Sequence, residues 1–170
     1  MAGLVIKRFA NFITFLNLIF GSAAIIYTIN EKYDAAGVLI LLAVLMDSLD
    51  GKIARRLQTS SDFGKELDSL CDMVSFGVAP AVLIYAQILI EPYTYIGLAA
   101  ALLFIACGAF RLARFNILNL NGYFLGLPIT LAGGFLAVFA LLGGFSPLVF
   151  LLLLVALSIF MVSTINIPKI

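Results

Sequence analysis

Four aspartates, Asp47, Asp50, Asp68 and Asp72, stand at helical spacing at the ends of two strongly apolar stretches, in a chain with no histidine. An ionised carboxylate costs roughly 2.5–3.5 kcal/mol at the centre of a membrane helix on insertion scales, less toward the interface. Four close together also repel one another. Such a group needs a strongly cationic partner, and divalent metal is the natural candidate. Oxygen-only ligands favour a hard ion, Mg2+ or Mn2+, over zinc, because Cys71 and Cys107 are badly placed as ligands. Paired metals clamped by carboxylates suit displacement at phosphorus, where one ion helps the nucleophile and both bind a charged diphosphate. Without histidine, a general base for that chemistry is a carboxylate or a lysine.

A helix advances about 100° per residue, so Asp47 and Asp50 lie roughly 60° apart, Gly51 about 40° from Asp47, and Ala54 about 20° from it. One stripe therefore carries two carboxylates and two residues with almost no side chain. On the next helix Gly64, Asp68 and Asp72 stand at i, i+4 and i+8, again a single stripe. Two such stripes facing across an antiparallel pair form a cup of carboxylates. Glycine and alanine leave room for a ligand backbone or phosphate. Neutralisation by neighbouring bases is the competing reading, and the geometry weakens it. Lys52 points about 160° from Asp50 and Arg56 about 180° from Asp47, which leaves Arg55, at about 80°, to lean in. One arginine does not compensate four carboxylates, whereas two divalent ions do.

The elements that position these stripes are membrane helices. The chain has 170 residues, 64% hydrophobic and 11% charged, with a mean hydropathy of +1.18. A soluble domain of this length cannot hide that much apolar surface. The net charge of +1 argues against nucleic acid as a partner. The two cysteines lie inside apolar stretches, show no disulfide or metal spacing, and read as core packing.

We expect an all-α fold, an integral membrane bundle of six transmembrane helices forming one domain over residues 1–170. The helices run from about Arg8 to Ile29, Asp34 to Leu57, the Thr59-Ser60-Ser61-Asp62 cluster to Ile90, Tyr93 to Asn116, Pro128 to Leu142, and Leu148 to Thr164. The first follows Lys7 and Arg8, yet its apolar run is long for a signal peptide, and it is read as a span. Six spans place both termini on one side. That side carries Lys7, Arg8, Lys52, Arg55, Arg56, Lys65, Arg111, Arg114 and Lys169; the other has Lys32. The positive-inside rule makes the basic side cytoplasmic, in the cell membrane, and the aspartates lie there too.

The run Asp47-x2-Asp50-Gly51-x2-Ala54-Arg55-x8-Gly64-x3-Asp68-x3-Asp72 resembles the signature of the CDP-alcohol phosphotransferases at every fixed position, eight residues across 26. With six membrane helices, the resemblance covers essentially the whole chain. It implies a homodimeric enzyme that moves a phosphatidyl-type group from a CDP-linked lipid to a small alcohol and releases CMP. It implies that Asp47, Asp50 and Asp68 hold two metal ions, and that Asp72 is the base for the alcohol proton and also touches metal. By the same resemblance Gly51 and Ala54 line the nucleotide pocket, Arg55 binds the diphosphate, and Gly64 permits close approach.

The stretch 66–80, with Arg111-Leu112-Ala113-Arg114-Phe115-Asn116 and Gly126-Leu127-Pro128, looks like the branch of the family whose acceptor is L-serine. That branch often has a second proline after the last element, where this chain has Thr130 and Leu131. Arg111 and Arg114 end their helix on the cytoplasmic side, the side to meet a serine carboxylate or lipid phosphate; ordinary basic flanking is the plainer reading. Asn116, Asn119 and Asn121 either help or merely cap and turn. The nearest competing expectation is the same chemistry with glycerol phosphate or an inositol phosphate, acceptors that want an additional basic pocket. A divalent-cation transporter would prefer broken helices and related halves, and the acids here cluster at one end of one helix pair.

Overall fold

The computed structural model describes residues 2–57, 62–117, 123–164 and 166–168. Helix α1 (Ala2–Ile29) begins earlier than expected and ends where expected. Its C-terminus closes in a tight reversal: the Glu31 N–H bonds Thr28 O at 3.0 Å and the Lys32 N–H bonds Tyr27 O at 2.9 Å. Glu31 sits at φ 60°, the left-handed position that this Schellman pattern requires. Two residues later α2 (Tyr33–Leu57) returns antiparallel.

The third rod is not uniform. It begins as α3 (Asp62–Asp72), widens into a π-helical turn (Met73–Val78), tightens as α4 (Ala79–Ile84), and widens again (Tyr85–Leu89). Pro80 explains the first widening. Proline has no N–H and its ring collides with the carbonyl four residues back, here Phe76. The turn absorbs both defects by bonding one residue further, with the Ala79 N–H on Val74 O. Helices α5 (Thr94–Ile117), α6 (Ile129–Leu142) and α7 (Pro147–Val162) follow. The helix order and bounds thus match the expected ones to within a few residues, α1's start excepted. A short antiparallel pair departs from the all-α expectation: β1 (Tyr123–Leu125), between α5 and α6, bonds β2 (Asn166–Pro168), after α7.

Among the described residues, three stretches are long and apolar enough to cross a membrane: Phe12–Ile29, Phe63–Leu89 and Thr94–Ile117. Helices α6 and α7 are apolar but have 14 and 16 residues, about 21 and 24 Å at 1.5 Å per residue, less than the ~30 Å hydrocarbon core. The distribution of side chains is that of a lipid-embedded bundle. Ile19, Ile26, Leu102, Phe135, Leu152 and Ile159 are all more than half exposed, while Asn17, Thr28, Asp72, Ser75, Arg111 and Ser158 are buried. Polar groups inside and large apolar groups outside is the order that lipid imposes. Alanines recur in the interior (Ala24, Ala36, Ala43, Ala79, Ala132 and Ala137 are fully buried), where they let helix backbones approach closely.

Helix α1 packs along α2 and against α3 and the first π turn; α6 packs against α2, α4 and that same turn; α5 packs against α7. The turn that follows Asp72 is therefore held from several sides.

Candidate active site

Asp47 lies late in α2, and Asp68 and Asp72 occupy the last two turns of α3. Each offers a carboxylate oxygen to one small volume, with the three oxygens within 4.8 Å of one another. Asp72 is 7% exposed, and Asp47 and Asp68 are half-buried. The i, i+4 relation puts Asp68 and Asp72 on one face, and the fold turns that face toward Asp47. Of the four expected ligands the structure brings these three together; the side chain of Asp50 lies outside the described residues, as do those of Ala54 and Arg55.

The surroundings of the cup come from other helices. Thr130, in the first turn of α6, lies beside the Asp47 carboxylate, and the Asp47 and Asp72 side chains lie against each other. Arg111, 6% exposed near the end of α5, interacts electrostatically with both Asp72 and Asp47. Its guanidinium also lies over the Phe115 ring, 5.5 Å from the centroid. From α1, Asn17 donates through Nδ2 to Asp72 Oδ1 at 3.2 Å, and neither residue is more than 7% exposed.

Arg114, one turn beyond Arg111, points elsewhere. Its guanidinium donates to Val162 O at 2.9 Å, Ser163 O at 3.0 Å and Met161 O at 3.4 Å. Those carbonyls close α7, where the helix dipole favours a cation. Asn116 joins α5 to α3: its Nδ2 donates to Ser69 Oγ at 3.0 Å and to Glu66 Oε2 at 3.2 Å, and Lys65 Nζ donates to its carbonyl at 3.3 Å. Asn119 and Asn121 lie outside the described residues.

Gly51 and Gly64 lie between Asp47 and Asp68 along the chain. Among the described residues, a Cβ built on Gly51 meets nothing within 4 Å. Gly64 lies one turn before Asp68 on α3 and is half-buried.

The donor set suits a divalent cation. Among the described residues it is all oxygen, charged, and compact enough for one ion to touch three carboxylates, with one buried guanidinium nearby against three acids. Hard-ion chemistry fits these residues; a thiolate or imidazole site does not. Asn17 and Thr130 were not read from the sequence as site residues. The signal for Asn17 was present: an amide in the apolar stretch 12–29 is costly in lipid unless it has a partner. Nothing local marks Thr130, because its role depends on where α6 begins relative to α2.

Comparison with known proteins places these features in a wider set. The sequence profile described as CDP-alcohol phosphatidyltransferase matches residues 7–165. The chain is 41% identical over 161 residues to the archaetidylserine synthase of Methanothermobacter thermautotrophicus, covering 93% of this chain and 68% of that one. It is 42% identical over 160 residues to the CDP-diacylglycerol–serine O-phosphatidyltransferase of Methanocaldococcus jannaschii, covering 94% and 73%. The enzyme of the same name from Bacillus subtilis is 38% identical over 159 residues, covering 92% and 87%.

Proposed function

The chain belongs to the CDP-alcohol phosphatidyltransferase family, and from that premise we propose that it transfers the phosphatidyl-type group of a CDP-linked lipid to the hydroxyl of L-serine, releasing CMP. The observation that carries the chemistry is the convergence of Asp47, Asp68 and Asp72 within 4.8 Å at the end of the bundle that also holds buried Arg111. The acceptor rests on the relatives, whose names specify serine or archaetidylserine.

In this reading Asp72 removes the proton from the serine hydroxyl. The serine oxygen forms its bond to the lipid-side phosphorus as the bond from that phosphorus to the CMP oxygen breaks, and CMP leaves with the electron pair. Asp47, Asp50 and Asp68, together with Asp72, would hold two divalent cations, Mg2+ or Mn2+. When bound, these neutralise the diphosphate and the charge that grows on the phosphoryl oxygens. Gly51 and Ala54 give the nucleotide backbone-level access, Arg55 binds the diphosphate, and Gly64 lets the lipid phosphate approach α3. Arg111, in electrostatic contact with the carboxylate cup, supplies positive charge for the serine carboxylate; Arg114, the other expected partner of that carboxylate, is engaged instead by the carbonyls that end α7. The chain acts as a single membrane domain of six spans, as a homodimer, with the site and both termini on the cytoplasmic side of the cell membrane.

Purified protein with CDP-diacylglycerol or its diether counterpart, labelled L-serine and Mg2+ or Mn2+ should yield CMP and labelled lipid in equal amounts. Labelling only by glycerol phosphate or an inositol phosphate would overturn the acceptor. No CMP with any alcohol, together with cation flux into proteoliposomes, would replace the enzyme by a transporter.

A further inference from the structure

Asp72 is the most buried member of the carboxylate cup, and its orientation is set by a residue on a different helix. Asn17 is fully buried in α1, and its Nδ2 donates to Asp72 Oδ1 across 55 positions of sequence. A carboxylate only accepts, so the amide nitrogen must face it, which fixes how the amide lies. Asn17 Oδ1 is then turned away, and it is buried without a hydrogen-bond partner among the described residues. A leucine would fill the same space without stranding a polar atom in a lipid-embedded core. Packing alone therefore gives no reason for an amide here, whereas a donor to Asp72 does.

The joint around Asn17 is built to close tolerance. Ser75, three residues beyond Asp72 on the adjoining π turn, donates through Oγ to the Asn17 carbonyl at 3.0 Å. Asn17 thus grips the α3 rod at two points, by its side chain and by its backbone. One turn on, Gly21 lets Ser75 come close: a Cβ there would lie 2.6 Å from Ser75 Cα and closer still to Oγ.

We infer that Asn17 is a positioning residue that holds the Asp72 carboxylate toward Asp47 and Asp68. Three carboxylates this close repel one another, and a free Asp72 side chain would rotate away. A lysine or arginine in place of Asn17 would also hold it, but would compete with the cations the cup is suited to bind. A neutral donor restrains the carboxylate without that competition, as partners of metal-binding carboxylates commonly do. This inference rests on the proposed role of Asp72.

The test compares Asn17→Leu and Asn17→Gln with the parent and with Asp72→Asn. Each is measured for kcat, for KM toward the CDP-lipid, for CDP affinity in the presence of Mg2+ by calorimetry, and for thermal stability in detergent. Asn17→Leu should lower kcat about 10- to 100-fold, while CDP affinity and the thermal midpoint stay near those of the parent. Asn17→Gln, which keeps a donor, should recover part of the loss. Asn17→Leu with parental kcat beside an inactive Asp72→Asn would overturn the positioning role and leave the function intact. Equal losses of kcat, CDP affinity and stability in both Asn17 variants would make Asn17 merely structural. Full turnover in Asp72→Asn would instead remove the base on which the inference stands. Should Asn17→Leu fail to fold, Asn17→Ala, which also removes the donor, takes its place: a lowered kcat with parental CDP affinity would support the inference, and parental kcat would overturn it.

Discussion

Under the proposed function Asp72 would both take the serine proton and touch metal. It is nearly inaccessible, touches Asp47, and is held by Asn17 through one oxygen. Replacing it by the isosteric amide removes the charge and the ability to take a proton while keeping the volume. General-base contributions are typically 10²–10⁴-fold, so Asp72→Asn should reduce CMP release at least a hundredfold. CDP binding should survive in substantial part, because Asp47 and Asp68 retain their charge. Stopped-flow or radiolabel assays of CMP release, paired with calorimetric titration of CDP, check both halves. Near-parental turnover would remove Asp72 from the role of base.

At the level of elements, the site depends on a rod that changes pitch just after its last carboxylate. The π turn Met73–Val78 presents Ser75 to α1 and the Phe76 backbone to α6. Two glycines make those approaches possible. A Cβ on Gly133 would stand 2.5 Å from Phe76 O and 2.8 Å from its Cα, and one on Gly21 would overlap Ser75. In an ordinary helix, Gly→Ala gains up to about 1 kcal/mol in propensity. Here the overlap is with backbone, which has nowhere to go, and overpacking costs about 1–3 kcal/mol. Gly21→Ala should therefore lower the thermal midpoint in detergent and reduce kcat together, since moving α1 off the turn also separates Asn17 from Asp72. An unchanged midpoint and rate would show that the α1 joint is looser than its geometry implies.

Across the whole molecule, charge and exposure run in opposite senses to those of a soluble protein. The buried set contains Asp72, Arg111 and Asn17, and the exposed set contains leucine, isoleucine and phenylalanine along several helices. The site lies at the end of the bundle shared by the C-termini of α2 and α5 and the N-termini of α3 and α6. The sequence assigns nine of the ten basic residues to that side, and among the described side chains Lys65, Arg111 and Arg114 lie at that end. The positive-inside bias then predicts a testable orientation. With Cys71 and Cys107 replaced by alanine, Glu31→Cys should react with a membrane-impermeant maleimide in intact cells, and Lys169→Cys only after permeabilisation. The reverse pattern would put the carboxylate cup on the outer face.

The spacing of Asp47, Asp68 and Asp72, with glycine one turn away, was enough by itself to place these acids on two stripes and to suggest a hard cation, because helical periodicity is a local property. The helix bounds were legible for the same reason, as runs of apolar residues broken by turn formers. Of the neighbours of those acids, Arg111 was legible as a candidate site residue, but Asn17 and Thr130 were not. Asn17, Thr130 and Arg111 reach the cup from three further helices, and Arg114, alike in sequence to Arg111, instead closes the end of α7. The β1–β2 pair was equally invisible, since each strand is three residues long and its partner lies more than forty positions away. Periodicity fixes which way a residue points from its own helix axis. Which helix it meets there depends on packing and on the widened turn at Pro80, and only the assembled bundle decides that.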